Sequence, residues 1–211
     1  MTRLVILGAG GHGRVVADCA SATDKYQEIV FLDDCLPQRN QNAHWSIIDT
    51  PDNWQKYRTQ SEFIVAFGQN ALRKKFTQEI TNEQGKLATI IHPTAVVSNQ
   101  VSIGKGTVIF ANVTINFGVT IGDGCILNTA CSIDHDCHVL DFVHISPQVA
   151  IAGGATIGAM SWLGINSTVI ECVTLATGTQ TGAGAVIVSD TQPNTLYLGM
   201  PATAYKTIPS A

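Results

Sequence analysis

The 211-residue sequence has little charge: only 13% of its residues are charged, whereas 45% are hydrophobic. This composition predicts a compact globular protein and argues against intrinsic disorder. The net charge of −4 argues against nucleic acid or an anionic membrane surface as the main partner. No apolar stretch approaches the roughly 18 residues of a membrane span, and the first residues run straight into a predicted strand without a signal-peptide pattern. We therefore expect a cytoplasmic protein with no membrane partner.

A six-residue rhythm runs from residue 101 to residue 187. Starting at Ile103, every sixth residue up to Ile187 is aliphatic except Thr181, and a small or β-branched residue stands two positions before each. This pattern predicts short strands with two inward side chains each, joined by corners where glycine or asparagine tolerates positive φ. Because such short strands bury no core alone, they must coil and stack. Residues eighteen apart should then lie above one another, since no inserted loop interrupts the rhythm.

The six cysteines show no CxxC spacing, which argues against a common zinc or redox motif. Cys125, Cys131 and Cys137 fall on the small inward position of three successive hexads. They are predicted to be buried apolar fillers, as free cysteines often are.

Residues 1–92 are predicted to form a small α/β unit, in which strands at 4–7, 29–32, 63–67 and 88–91 flank two helices. Gly8-x-Gly10-x-x-Gly13 follows the first strand and Asp33 follows the second, which matches the dinucleotide-binding fingerprint. Such glycines let a phosphate approach backbone N–H groups at a helix N-terminus. The unit holds only about half of a dinucleotide fold, so we expect a site for one nucleotide. A glycine-rich turn without any ligand is the alternative.

Over its whole length the chain resembles the hexapeptide-repeat sugar O-/N-acyltransferases, which include sialic-acid O-acetyltransferases and nucleotide-amino-sugar N-acetyltransferases of the NeuD and PglD type. The motifs that carry the resemblance are Gly-Ala-Gly-Gly-His-Gly, Phe-Leu-Asp-Asp, Val-Ala-Phe-Gly-Gln-Asn, Ile-Asp-His-Asp-Cys, Phe-Val-His-Ile-Ser, Leu-Gly-Ile-Asn-Ser and Leu-Gly-Met-Pro-Ala. It implies an α/β Rossmann-like nucleotide-sugar-binding domain over residues 1–92, followed over 93–211 by an all-β left-handed parallel β-helix. The left hand comes from the resemblance alone, since parallel crossovers are otherwise right-handed.

The resemblance also implies the site residues. In the first domain it places three residues at the phosphates, two at the base or ribose and one beside them: Gly10, Gly11 and His12, then Asp33 and Asp34, then Gly68. In the second domain it makes His135 the general base and Asp136 the acid that enhances its basicity. It assigns His144 to the thioester end of acetyl-CoA, and the backbone amides of Ile165 and Ala183 to the pantetheine arm.

His135 also stands out by its position in the repeat. It lies at a corner between Asp134 and Asp136, whose carboxylates favour the imidazolium and suit a base that works near neutral pH. Gly153 follows eighteen residues later, so it should lie one coil above His135. There its backbone N–H could receive the thioester carbonyl.

The expected activity is acetyl transfer from acetyl-CoA to the amine of a nucleotide-linked 4-amino-4,6-dideoxy sugar, for bacterial surface glycans. The alternatives are a sugar O-acetyltransferase of the sialic-acid type and a non-catalytic nucleotide-binding scaffold. The nucleotide stays open among UDP, dTDP, GDP and CMP. A zinc site of carbonic-anhydrase type would need His135, His138 and His144 to converge. The register instead places His135 at a corner and His138 and His144 on two successive faces that point in different directions. We therefore expect no metal.

The resemblance further implies a homotrimer with active sites between neighbouring subunits. Phe117, Ile126 and Trp162 are predicted to face outward, where a monomer would leave these apolar side chains in water.

Overall fold

A computed structural model describes residues 2–209. The chain divides into two compact units, one ending at Pro93 and the other beginning at Thr94. Within the described residues, no helix is both long and apolar enough to cross a membrane.

The first unit is built on a six-stranded sheet in the order β3-β4-β2-β1-β5-β6. Its central strands are parallel and buried, and only β3 runs antiparallel, against β4. The strands are β1 Arg3–Leu7, β2 Glu28–Leu32, β3 Gln41–Asn42, β4 Trp45–Asp49, β5 Ser61–Val65 and β6 Lys86–Leu87. The helices are α1 Gly11–Ser21, a 3-10 helix Pro51–Tyr57 and α2 Asn70–Asn82, and the short strand β7 Ile90–Ile91 follows.

The predicted α/β pattern is present, with three differences. The third predicted strand ends at Val65 rather than at residue 67, and the predicted strand over 88–91 is reduced to Ile90–Ile91, with a separate strand Lys86–Leu87 before it. The hairpin β3–β4 and the 3-10 helix were not predicted. Their sequence is short, mixed in polarity and interrupted by Pro51, so it shows neither a strand nor a helix period over a useful window.

The second unit is a left-handed parallel β-helix, which confirms the predicted fold class. Strands of two residues stack in three sheets, with eighteen residues between partners, as in the pairs Thr114 with Ser132 and His144 with Trp162. Sheet I contains β10 Val108–Ile109, β13 Ile126–Leu127, β16 His144–Ile145, β19 Trp162–Leu163 and β22 Gln180–Thr181. Sheet II contains β8 Val96–Val97, β11 Thr114–Ile115, β14 Ser132–Ile133, β17 Ala150–Ile151, β20 Thr168–Val169 and β23 Val186–Ile187. Sheet III contains β9 Ser102–Ile103, β12 Thr120–Ile121, β15 His138–Val139, β18 Thr156–Ile157 and β21 Thr174–Leu175.

A hairpin follows the last coil and extends sheet I. Its strand β24 (Thr195–Gly199) pairs parallel with β22, and β25 (Ala202–Thr207) pairs antiparallel with β24.

The inward positions of the hexads form one continuous core, in which the three cysteines are completely buried as predicted. Thr181, the exception in the aliphatic row, is buried as well. Its hydroxyl donates to Ser167 Oγ at 3.0 Å and accepts from the Gly164 N–H at 2.8 Å. The one polar residue of the row is therefore accommodated, because its hydroxyl has hydrogen-bond partners inside the core.

Of the three apolar residues predicted to face water, one is not exposed. Phe117 and Trp162 are 62% and 45% exposed, as expected, but Ile126 is only 1% exposed. That part of the prediction is wrong, because the register fixes the direction of a side chain but not what covers it. Val108, the preceding residue in the same stack of sheet I, is equally buried.

Candidate active site

His135 lies at the corner between β14 in sheet II and β15 in sheet III. Asp134 Oδ1 accepts the backbone N–H of His135 at 2.8 Å, and Asn116, one coil below, donates to the same oxygen at 2.8 Å. His135 Nδ1 lies 2.9 Å from Asp136 Oδ2. Asp134 thus fixes the backbone of the turn, and Asp136 fixes the orientation of the imidazole ring.

This environment sets the charge and the tautomer of the imidazole. The hydrogen bond to Asp136, followed by the charge of Asp134, raises the pKa of His135 above its usual value. Because the Asp136 carboxylate accepts a hydrogen bond from Nδ1–H, the neutral ring carries its lone pair on Nε2. Nε2 is then the atom that can accept a proton from a substrate.

Gly153 lies directly against this ring, one coil above it as the register predicted. The N–H of Gly154 donates to the His135 carbonyl at 2.9 Å. A Cβ added to Gly153 would lie 2.7 Å from both Cε1 and Nε2 of His135. Only glycine therefore lets the backbone approach the reactive edge of the imidazole this closely.

Of the other predicted acetyl-CoA residues, Ile165 and Ala183 line a groove along sheet I, and His144 packs against Trp162 in its wall. The ring of His144 stacks on Trp162 with the centroids 5.5 Å apart and the planes 7° from parallel. Trp162 Nε1 donates to Ser146 Oγ at 3.0 Å. The groove has a volume of about 350 Å³, and both Trp162 and Ser146 line it together with Ile165 and Ala183. Ile165 and Ala183 are exposed, and they lie on successive coils between sheets I and II.

The predicted nucleotide residues gather at the carboxyl edge of the first unit's sheet. β1 lies between β2 and β5, so the turn after β1 is the point where the strand order changes direction, which is where ligands bind in such sheets. α1 begins at Gly11, its N-cap Gly10 has no side chain to cap the first turn, and both glycines face open space. The backbone N–H groups of that turn are suited to a phosphate. Gly68 follows β5 at the same edge and is also open.

The loop after β2 holds this turn in place. Asp33 Oδ2 accepts the Ala9 N–H at 2.6 Å, and Oδ1 accepts the Cys35 N–H at 2.9 Å. Burial alone would raise the pKa of Asp33, but hydrogen bonds from Cys35 and Ala9 lower it, so the carboxylate stays ionised. Asp34, by contrast, is exposed.

His12 differs electrostatically from a phosphate-binding cation. Burial and the nearby charge of Arg73 lower the pKa of His12 to about 4, so its imidazole is neutral at neutral pH. The guanidinium of Arg73 donates to the carbonyls of Phe67 and Gly68 and to Asn70 Oδ1. The sequence did not indicate this buried arginine, which secures the loop containing Gly68.

Two further contacts at these sites could have been found by counting eighteen residues. Asn116 precedes Asp134 by one coil, and Trp162 follows His144 by one coil. Arg39 and Asn42, which donate to the Ala9 carbonyl, gave no such signal, because they lie outside the repeat.

The histidines considered for zinc are at separate places. His135 is at its corner, His138 is on sheet III beside Thr120, and His144 is on sheet I against Trp162. Across residues 2–209, no group of three His, Cys, Asp or Glu side chains could hold a metal ion.

Comparison with known proteins gives a match over nearly the whole chain. It is 38% identical to the acetyltransferase domain of PglB from Neisseria gonorrhoeae FA1090, with a TM-score of 0.93, covering 96% of this chain and 99% of that one. The chain belongs to the NeuD/PglD-type acyltransferase family. The model for the PglD N-terminal domain matches residues 3–80 of this family member.

Two other relatives are associated with particular nucleotide sugars. PerB from Caulobacter crescentus, solved in complex with CoA and GDP-perosamine, is 33% identical with a TM-score of 0.87, covering 96% of this chain and 97% of that one. UDP-N-acetylbacillosamine N-acetyltransferase from Bacillus subtilis is 30% identical over 113 residues, which are 53% of this chain and 52% of that protein. The chain thus spans about half the length of this curated relative.

Proposed function

We propose that this protein transfers an acetyl group from acetyl-CoA to the amine of a nucleotide-linked 4-amino-4,6-dideoxy sugar, in bacterial surface glycan biosynthesis. The observation that carries the proposal is the His135–Asp136 pair at an open corner, with the backbone of Gly153 against the reactive edge of the imidazole. The PglB domain has been solved with acetyl coenzyme A, and PerB with CoA and GDP-perosamine. These relatives support acetyl-CoA as co-substrate and a nucleotide sugar as acceptor.

The proposed reaction is a direct transfer. The amine nitrogen attacks the thioester carbonyl carbon while His135 Nε2 takes up the proton that the nitrogen loses. The Gly153 N–H stabilises the charge that develops on the carbonyl oxygen. The C–S bond then breaks, and the sulfur leaves with the electron pair as CoA. Asp136 holds the ring in the required tautomer and stabilises the imidazolium that forms.

The nucleotide sugar is assigned to the first unit. Its diphosphate would lie on the backbone N–H groups of Gly10, Gly11 and His12, with Asp34 at the ribose or base and Gly68 beside them. Asp33 would act by shaping the turn, since both its oxygens accept backbone N–H groups. His12 would contribute its backbone rather than a positive charge.

Release of free CoA tests this function. Mixed with acetyl-CoA, the protein should release CoA rapidly with a 4-amino-4,6-dideoxy sugar linked to UDP, dTDP or GDP, and slowly with the matching 4-hydroxy sugar or with CMP-sialic acid. Preference for a hydroxyl acceptor would favour the O-acetyltransferase alternative. Binding of both substrates without CoA release would favour the scaffold. A cytoplasmic location stays a prediction.

A homotrimer is the proposed assembly. His135 lies between sheets II and III, whereas Ile165 and Ala183 lie between sheets I and II. One chain therefore carries the base and the groove for the acetyl donor at different corners, and a second copy would bring a groove to each base. We expect the active species to sediment at three times the chain mass. An active monomer at assay concentration would contradict this assembly.

A further inference from the structure

The second unit is short of positive charge, although its proposed co-substrate carries several phosphates. From Thr94 to Ala211 the sequence contains six Asp and Glu residues but only two basic residues, Lys105 and Lys206, and no arginine. This half of the chain thus has a net charge of −4, equal to that of the whole protein. Lys105 and Lys206 are therefore the two candidates for a charged contact between this unit and a polyanionic ligand.

Lys206 stands at the end of the outward row of sheet I. Along this row, strand pairing places His144 beside Trp162, Trp162 beside Gln180, and Gln180 beside Leu196. Leu196 is in turn paired with Lys206 across the hairpin. Tyr197 is buried in the core, so Leu196 faces outward. Residues directly opposite in an antiparallel pair project from the same face, which sends the exposed Lys206 side chain outward on the same side as Trp162.

The length of the row matches the length of the coenzyme. From the strand of His144 to that of Lys206 there are four strand steps of about 4.8 Å, or about 19 Å. The pantetheine arm has thirteen bonds between sulfur and the nearest phosphorus, so it spans about 15 Å when extended, by comparison with extended backbone. If the thioester lies at His144 and the arm passes Ile165 and Ala183, its phosphates arrive at β24 and β25. The flexible lysine side chain covers the remaining few ångströms.

We propose that Lys206 binds the phosphates of coenzyme A and thereby fixes the end of the cofactor opposite the thioester. The inference rests on the proposed function, because it takes acetyl-CoA as the donor and His144 as its thioester end. A lysine on an exposed edge strand is common, since it discourages edge-to-edge association. The position of Lys206 at the end of the groove row, in a unit with one other lysine, distinguishes it from such a residue.

Steady-state kinetics and CoA titration calorimetry of Lys206→Ala test the proposal. We expect the KM for acetyl-CoA and the Kd for CoA to rise about 10-fold, as for the loss of one hydrogen bond to a charged group. We expect kcat to stay near its wild-type value. Lys206→Arg should restore most of the affinity, because arginine also donates to phosphate. Lys105→Ala removes the same charge from a corner of the first coils and should leave both constants unchanged.

Shortened donors separate a phosphate contact from a general effect on folding. With acetyl-pantetheine, which has no phosphate, Lys206→Ala and the wild type should have the same KM. With dephospho-CoA, a loss of the difference assigns Lys206 to the 3′-phosphate, and a persisting difference assigns it to the diphosphate. Equal Kd values of variant and wild type for CoA would overturn the inference and leave the proposed function intact. A wild-type protein that binds no CoA at all would overturn both.

Discussion

His135→Ala is expected to lower kcat by at least about 10²-fold, the lower end of what general base catalysis contributes. The sugar amine is largely protonated near neutral pH and must lose a proton before or during its attack. His135 Nε2 is the proposed acceptor, because Nδ1–H is hydrogen-bonded to the Asp136 carboxylate. The KM for acetyl-CoA should change little, because the ring is exposed at a corner away from the groove of sheet I.

Two further variants sharpen this expectation. His138→Ala removes a histidine from sheet III, where its Nδ1 lies 2.8 Å from Thr120 Oγ1, and should leave turnover near wild type. Asp136→Asn should reduce kcat less than His135→Ala and should shift the acidic limb of the pH–rate profile to lower pH. Asp136 raises the pKa of His135, and the base works only when deprotonated, so removing the carboxylate lowers the pH at which activity appears. Near-normal turnover of His135→Ala would mean that the proton leaves by another route.

Gly153→Ala is expected to lower kcat by about 10²-fold without unfolding the protein. The new Cβ would lie 2.7 Å from Cε1 and Nε2 of His135, well inside van der Waals contact, so the imidazole must turn away. A misplacement of about 1 Å at a reacting group can cost 10²-fold in rate. The φ of Gly153 is not in the left-handed region, so the alanine backbone itself is tolerated.

A double-mutant cycle provides the control. If the methyl group acts by displacing the imidazole, Gly153→Ala should change kcat by less than about 3-fold in a His135→Ala background. The effects of mutations at two coupled residues are not additive. The melting temperature of each variant checks that the β-helix remains folded. The same large loss in both backgrounds would show that Gly153 acts independently of His135.

The β-helix unit could be predicted in unusual detail because its sequence carries two kinds of information at once. The aliphatic row from Ile103 to Ile187 indicates what is buried, and the constant spacing indicates what is stacked. From these alone Gly153 was placed above His135, and the structure has it there. A corner residue in a solenoid has fixed neighbours, so its environment follows from counting.

In the first unit, which has no repeat, the contacts around the site could not be predicted by counting residues. The glycine-rich turn at Gly10 and Gly11 could be predicted from its composition. The surrounding loops are secured by Arg39, Asn42 and Arg73, which no sequence pattern indicated. Arg39 and Asn42 reach Ala9 through long-range contacts, and the hydrogen bonds of Arg73 to the loop just before it follow no sequence period. The same holds for the neutral state of His12, because it results from burial and from a charge sixty-one residues away. Which side chain is covered is a tertiary property, and Ile126 shows this even inside the repeat.

The eighteen-residue coil also separates what the protein needs to fold from what it needs to function. Deleting one hexad would leave the pattern of inward residues intact, so the shortened chain would still be able to coil and bury a core. Every residue after the deletion would nevertheless move to the adjacent sheet. Such a cut between His135 and Gly153 would take the glycine off the imidazole, and one between His144 and Ile165 would break the groove. Only changes of eighteen residues keep the faces aligned, and each of those changes the spacing along the axis by one strand. Selection for activity therefore constrains the length of this repeat far more tightly than selection for stability.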